Sequence, residues 1–158
     1  MRNRIHNSSN PYQVYDKYPR ALCVCSAGLL RSPTTAVVLA GDDYKYNTRA
    51  VGADSGHALV PLDPVHLVWA DVIVFAERCH FDLAKAEERI QSKNPELKWE
   101  DSIMSNKPVY ILNIPDQYEY RHPTLVAEIK DRFKQALKQA DGATSGVFEV
   151  PRSPSMYS

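Results

Sequence analysis

Residues Val72 to Ala76 read Val-Ile-Val-Phe-Ala, an uninterrupted apolar run, and no other feature constrains the fold of this chain as strongly. A strand with one wet face alternates apolar and polar residues, so a continuous run belongs in a parallel sheet covered on both faces. Three other stretches can lie beside it: the short run Ala21 to Val24, the β-tolerant Tyr44 to Val51, and Val109 to Ile114. Helical patterns separate them. Thr34 to Ala40 follows a Ser32-Pro33 start, Asp63-Pro64 caps Val65 to Trp69, Phe81 to Ile90 follows the third strand, and Thr124 to Ala140 forms a long amphipathic helix. Asn94 to Asn106 reads as a loop or broken helix. The expected fold is a single α/β domain, an open four-stranded parallel sheet with helices on both faces and right-handed crossovers.

The 158 residues suit one core. The pattern sets a domain over 19–141, preceded by an arm at 1–18 rich in asparagine and tyrosine and followed by a frayed tail at 142–158. Lysines plus arginines number 19, as do aspartates plus glutamates, so no overall field favours nucleic acid or an acidic membrane, and any anion site must be local. The first residues hold no apolar run suited to a signal peptide or anchor. Three cysteines, Cys23, Cys25 and Cys79, are too few and odd for a secreted disulfide framework, so the expectation is a cytoplasmic protein with reduced thiols.

In an open parallel sheet, ligands bind beyond the carboxyl ends of the strands. Cys25, Glu77 and Asp116 each fall at or just after a strand end and can share that edge. From Cys25 the chain runs Ser26, Ala27, Gly28, Leu29, Leu30, Arg31 and Ser32 into a helix. A loop of this length can turn successive N–H groups onto a phosphate at a helix N-terminus. Arg31 can grip two phosphate oxygens and favour the thiolate of Cys25, the form able to attack phosphorus, and Ser32 can hydrogen-bond the sulfur. Asp116 is the expected general acid, with Glu119 and His122 in reserve, and Tyr118 can line a cleft for a phosphorylated tyrosine. Each has a plainer reading: a core cysteine by a helix cap, a turn aspartate, a packed loop aromatic. Cys23 is read as core. Cys23, Cys25, Cys79 and His80 lack the usual spacing of a metal knuckle, so no metal site is expected.

These residues resemble the low-molecular-weight protein tyrosine phosphatase family, most closely a bacterial branch of predicted protein tyrosine phosphatases. The resemblance runs from about Ala21 to Phe133 through VCSAGLLRSPTTA, WADVIVFAERCH and VYILNIPDQYEY, in that order. It implies a four-stranded parallel α/β fold, no metal or organic cofactor, and hydrolysis of a phosphotyrosine-containing protein or other aryl phosphate through a phosphocysteine. Cys25 matches the family nucleophile, Arg31 its phosphate-binding arginine, Ser32 the serine supporting the thiolate and Asp116 the acid. The chain departs from the pattern at Gly28, where the family usually has a bracing asparagine. It also lacks the second cysteine at Leu30, and has His122 where the close branch has an aspartate. Two alternatives stand beside hydrolysis: a phosphate- or phosphoprotein-binding module without turnover, and an arsenate reductase-like enzyme.

Overall fold

The computed structural model describes residues 18–26, 31–41, 43–54, 56, 58, 60–115 and 122–152. The arm at 1–17, the loop centre Ala27 to Leu30, and Asp116, Tyr118 and Glu119 therefore lie outside the described residues.

Five strands form one parallel sheet: β1 (Arg20–Cys25), β2 (Asn47–Gly52), β3 (Val72–Phe75), β4 (Pro108–Ile111) and β5 (Gly146–Glu149), in the order β2-β1-β3-β4-β5. The α-helices among the described residues are α1 (Arg31–Ala40), α2 (Pro64–Trp69), α3 (Arg78–Ser92) and α4 (Pro123–Ala140). The alternation of side chains along each strand divides the core. Ala21, Cys23, Val74, Tyr110 and Leu112 pack with α1 and α4 on one face, while Leu22, Val24, Ile73, Phe75 and Ile111 pack towards α2 and α3 on the other. Both faces are covered, as the apolar run at Val72 requires.

The sheet has five strands, not the expected four. Gly146 to Glu149, within the stretch read as a frayed tail, pairs in parallel with β4 from Pro108↔Gly146 to Ile111↔Glu149. Its four residues are only half-buried, so an edge strand of this kind carries little periodic signal. Tertiary partners hold it. Asn113 donates to Glu149 at 2.9 Å and to the Val150 carbonyl at 2.7 Å, and Val150 is buried.

Other boundaries shift for local reasons. Tyr44 and Tyr46 precede β2, turned through Lys45 at φ 59° onto the ring of Phe133, with centroids at 5.0 and 6.1 Å. Helix α1 begins at Arg31, which puts Pro33 in its first turn, where N–H groups lack intrahelical partners anyway. In α2, His66 and Leu67 are buried while Val65 and Val68 face solvent, so that short helix is less amphipathic than its sequence suggests. Between α3 and β4 the chain makes two short 3₁₀ turns, Trp99–Asp101 and Ile103–Asn106, the second held by the Glu88 carboxylate accepting from Ile103 N at 2.9 Å.

The strand order determines where a ligand can enter. The chain passes from β1 outward to β2 and then returns to place β3 on the other side of β1. The order reverses between β1 and β3, and in open parallel sheets the carboxyl ends of the strands at such a reversal are where ligands bind.

Candidate active site

Cys25 is the last residue of β1, opposite Gly52, and is almost fully buried. Its Sγ lies 3.1 Å from the hydroxyl oxygen of Ser32, in the first turn of α1. Ser32 Oγ is also 3.3 Å from the Val51 carbonyl. A hydroxyl both donates and accepts. It can therefore accept from the thiol while donating to Val51, or turn to donate to a thiolate. The N-terminus of α1, with the partial positive charge of its unpaired N–H groups, lies at the same place.

Arg31 opens α1 and is only 3% exposed. Its Nη1 donates to the Glu77 carboxylate and, at 2.9 Å, to the Ile114 carbonyl. Glu77 lies two residues beyond β3 and Ile114 three beyond β4, so the arginine is fastened to the ends of two strands. A buried cation needs such partners. The second oxygen of Glu77 accepts from Arg152 Nη2 at 3.2 Å, bringing the chain beyond β5 to the same edge.

A second connection runs through His80, which has no exposed surface. The Glu77 N–H donates to His80 Nδ1 at 3.0 Å. Nδ1 thus carries no proton, and Nε2–H is the donor to Ser26 Oγ at 2.9 Å. Ser26 directly follows Cys25. The N-cap and first turn of α3 thus contact both ends of the segment between Cys25 and Ser32.

Of the expected site residues, Cys25, Ser26, Arg31 and Ser32 converge at one sheet edge. Ala27, Gly28, Leu29, Leu30, Asp116 and Tyr118 lie outside the described residues. His122 is the N-cap of α4, its Nδ1 accepting from Thr124 N at 3.1 Å. Sequence reasoning placed Glu77 at this edge but did not foresee its partnership with Arg31, and it missed the bond between His80 and Ser26. The available signal was WADVIVFAERCH itself, which puts a carboxylate and an imidazole three residues apart after a buried strand.

The thiols differ in setting. Cys23 lies in the core, where burial, with Cys25 adding to it, pushes its thiol up. Cys79 is exposed, with burial of part of its side chain and the Glu77 charge pushing its thiol up against an opposing pull from Arg31. Glu77, Cys79 and His80 bring possible metal-ligating atoms within 4.8 Å of one another. The Glu77 carboxylate, however, is paired with two arginines and both His80 nitrogens are in hydrogen bonds, so hydrogen bonding accounts for two of the three residues.

The fold and this edge define a parallel α/β protein with a buried cysteine and arginine at the sheet's switch point. No protein-family model and no curated protein matches the sequence. Among solved structures the chain is similar to the YwlE arginine phosphatase from Geobacillus stearothermophilus, with a TM-score of 0.45 and 18% identity over 81% of this chain and 99% of that one. No helix among the described residues is long and apolar enough to cross a membrane.

Proposed function

We propose that the chain is a cysteine-dependent phosphomonoester hydrolase acting in the cytoplasm on a phosphotyrosine-containing protein or another aryl phosphate. The observation that carries this reading is the Cys25 sulfur 3.1 Å from Ser32 Oγ, with Arg31 opening the same helix. A buried arginine tied to two strand ends is a fixed positive charge beside a potential nucleophile, the pairing that phosphoryl transfer uses.

In the proposed reaction the Cys25 thiolate attacks phosphorus, forming the S–P bond as the P–O bond to the leaving group breaks. Arg31 and the N–H groups of residues 26–32 would hold the non-bridging oxygens. Asp116 would give its proton to the departing oxygen, then take one from the water that attacks phosphorus, releasing inorganic phosphate and the thiolate. Tyr118 would face the substrate ring. No step requires a metal or cofactor.

The test is hydrolysis of an aryl phosphate by the wild-type chain and by Cys25→Ser. Turnover is expected to fall to background in the variant while phosphate still binds. Equal activity of the two proteins refutes Cys25 as the nucleophile, and no activity in either refutes hydrolysis and returns the site to phosphate binding alone. The arsenate reductase reading gains nothing from the geometry, since a relay needs thiols in series and Cys23 sits in the core.

A further inference from the structure

A cavity of about 260 Å³ lies between α3, the turn at 97–102 and β5. Neither Cys25, Arg31 nor Ser32 contributes to its wall. Phe81 and Trp99 supply its aromatic part, edge to face with centroids 5.6 Å apart, and Val147 of β5 closes one side. The charged residues in its wall are Lys85, Arg89 and Lys98, and no carboxylate joins them. Lys85 pairs with Asp82 at 3.5 Å and its Nζ lies 4.7 Å from the centre of the Phe81 ring. Arg89 and Lys98 make no ion pair among the described residues.

An apolar hollow with three cations and no anion is complementary to one kind of molecule. A neutral ring would fill the hollow but leave the cations to water, and a small inorganic anion would meet the cations but leave the aromatic wall wet. A planar ring carrying an anionic group uses both, burying its face while its charge accepts charge-assisted hydrogen bonds. The cavity wall holds only three cations and the chain as a whole has zero net charge, which fits a small ligand rather than a polyanion.

We propose that this cavity is a binding site for a small planar aromatic anion, a carboxylate or phosphate ester on a ring system, seated against Trp99 with its charge towards Arg89 and Lys98. The site does not depend on the proposed phosphatase activity. It does share elements with the active edge: Phe81 follows His80 on α3, and Glu149, on the same strand as Val147, pairs with Arg78 at 2.8 Å.

The chain has two tryptophans, and Trp69 lies elsewhere, beneath Arg49 at 4.1 Å, so the two indole N–H signals in a nitrogen–proton correlation spectrum give a site report and an internal control. The full chain is titrated with 1-naphthoate, adenosine 5′-monophosphate, neutral 1-naphthalenemethanol and inorganic phosphate. The Trp99 signal is expected to shift saturably with naphthoate, the nucleotide or both, with Trp69 unmoved. The relative strength of those two probes distinguishes a carboxylate from a phosphate ligand. The neutral alcohol and inorganic phosphate should each bind about tenfold more weakly, roughly 1.4 kcal/mol. Replacing Arg89→Ala together with Lys98→Ala should weaken the anions about tenfold and leave the alcohol unchanged. Should that double variant lose its dispersed spectrum, Lys98→Ala alone, at an exposed position, carries the comparison. A Trp99 signal that ignores both anions, follows the alcohol equally well, or is insensitive to loss of the cations overturns the proposal.

Discussion

Replacing Glu77 by glutamine tests whether the carboxylate holds Arg31 in place. The variant keeps the size of the side chain and one acceptor but removes the charge facing a guanidinium that is 3% exposed. Breaking a fully buried ion pair by removing one partner costs about 3–5 kcal/mol, because the remaining charge stays buried. Glu77 is 17% exposed and shares its charge with the half-exposed Arg152, while Arg31 keeps its bond to the Ile114 carbonyl. Screening and that surviving bond lower the expected loss to about 2–3 kcal/mol. Urea unfolding followed by circular dichroism measures it. The reasoning makes a second demand. An oxyanion bound at Arg31 would replace the missing carboxylate, so inorganic phosphate should raise the midpoint of Glu77→Gln more than that of wild type. A loss below about 0.5 kcal/mol, within the range of an ordinary surface change, together with equal phosphate effects in both proteins, would refute the idea that Glu77 neutralises a buried arginine.

Ending the chain after Asp141 should lower stability by more than about 3 kcal/mol, because it removes β5, buried Val150 and the acceptors of Asn113; an unchanged thermal midpoint would show the fifth strand to be dispensable. Burial, then neighbouring Tyr110 and Tyr44, pushes Tyr46 up to about 12 from an ordinary value of 10.0. The folded state therefore holds the proton more tightly, and stability present below pH 10 should be lost as pH rises towards 12. Tyr46→Phe should flatten that decline in alkaline denaturation curves. Asp116→Ala should slow an alkyl phosphate by about a hundredfold or more and an activated aryl phosphate much less, and equal slowing of both esters in steady-state assays would remove Asp116 as the acid.

The sheet was readable wherever burial leaves a pattern. Val72 to Ala76, apolar without a break, required cover on both faces, and the cover is there. The regular βα alternation by itself puts Cys25 and Glu77 at or just after strand ends. What escaped was structure fixed by distant partners. Gly146 to Glu149 is a strand because Asn113 and β4 hold it, and neither lies nearby in sequence. Likewise Glu77 reads as an ordinary helix-start acid, since nothing local states that Arg31, 46 residues earlier, will be its partner. Lys107 is a further case: three carbonyls at the end of α2, those of Leu67, Val68 and Ala70, accept from its ammonium group. In sequence that residue is an unremarkable lysine before a strand.

Two of these distant pairings fasten the described residues on either side of the segment that the proposed reaction assigns to phosphate binding. A loop that binds an oxyanion through its backbone must keep its donors aimed before the ligand arrives, or the cost of ordering them is taken from binding. An asparagine within the loop would supply a brace from inside, and Gly28 has no side chain to do so. The described residues supply holds from outside. Ser26, at the near end, is bound by His80, and Arg31, at the far end, by Glu77. Both partners belong to the same turn, where the Glu77 N–H also orients the His80 ring. That turn directly follows β3, which is paired with β1 through Val24↔Phe75. The two ends of the segment are thereby referred to a single rigid element beside the strand that ends in Cys25, so their separation is set by the packing of the sheet.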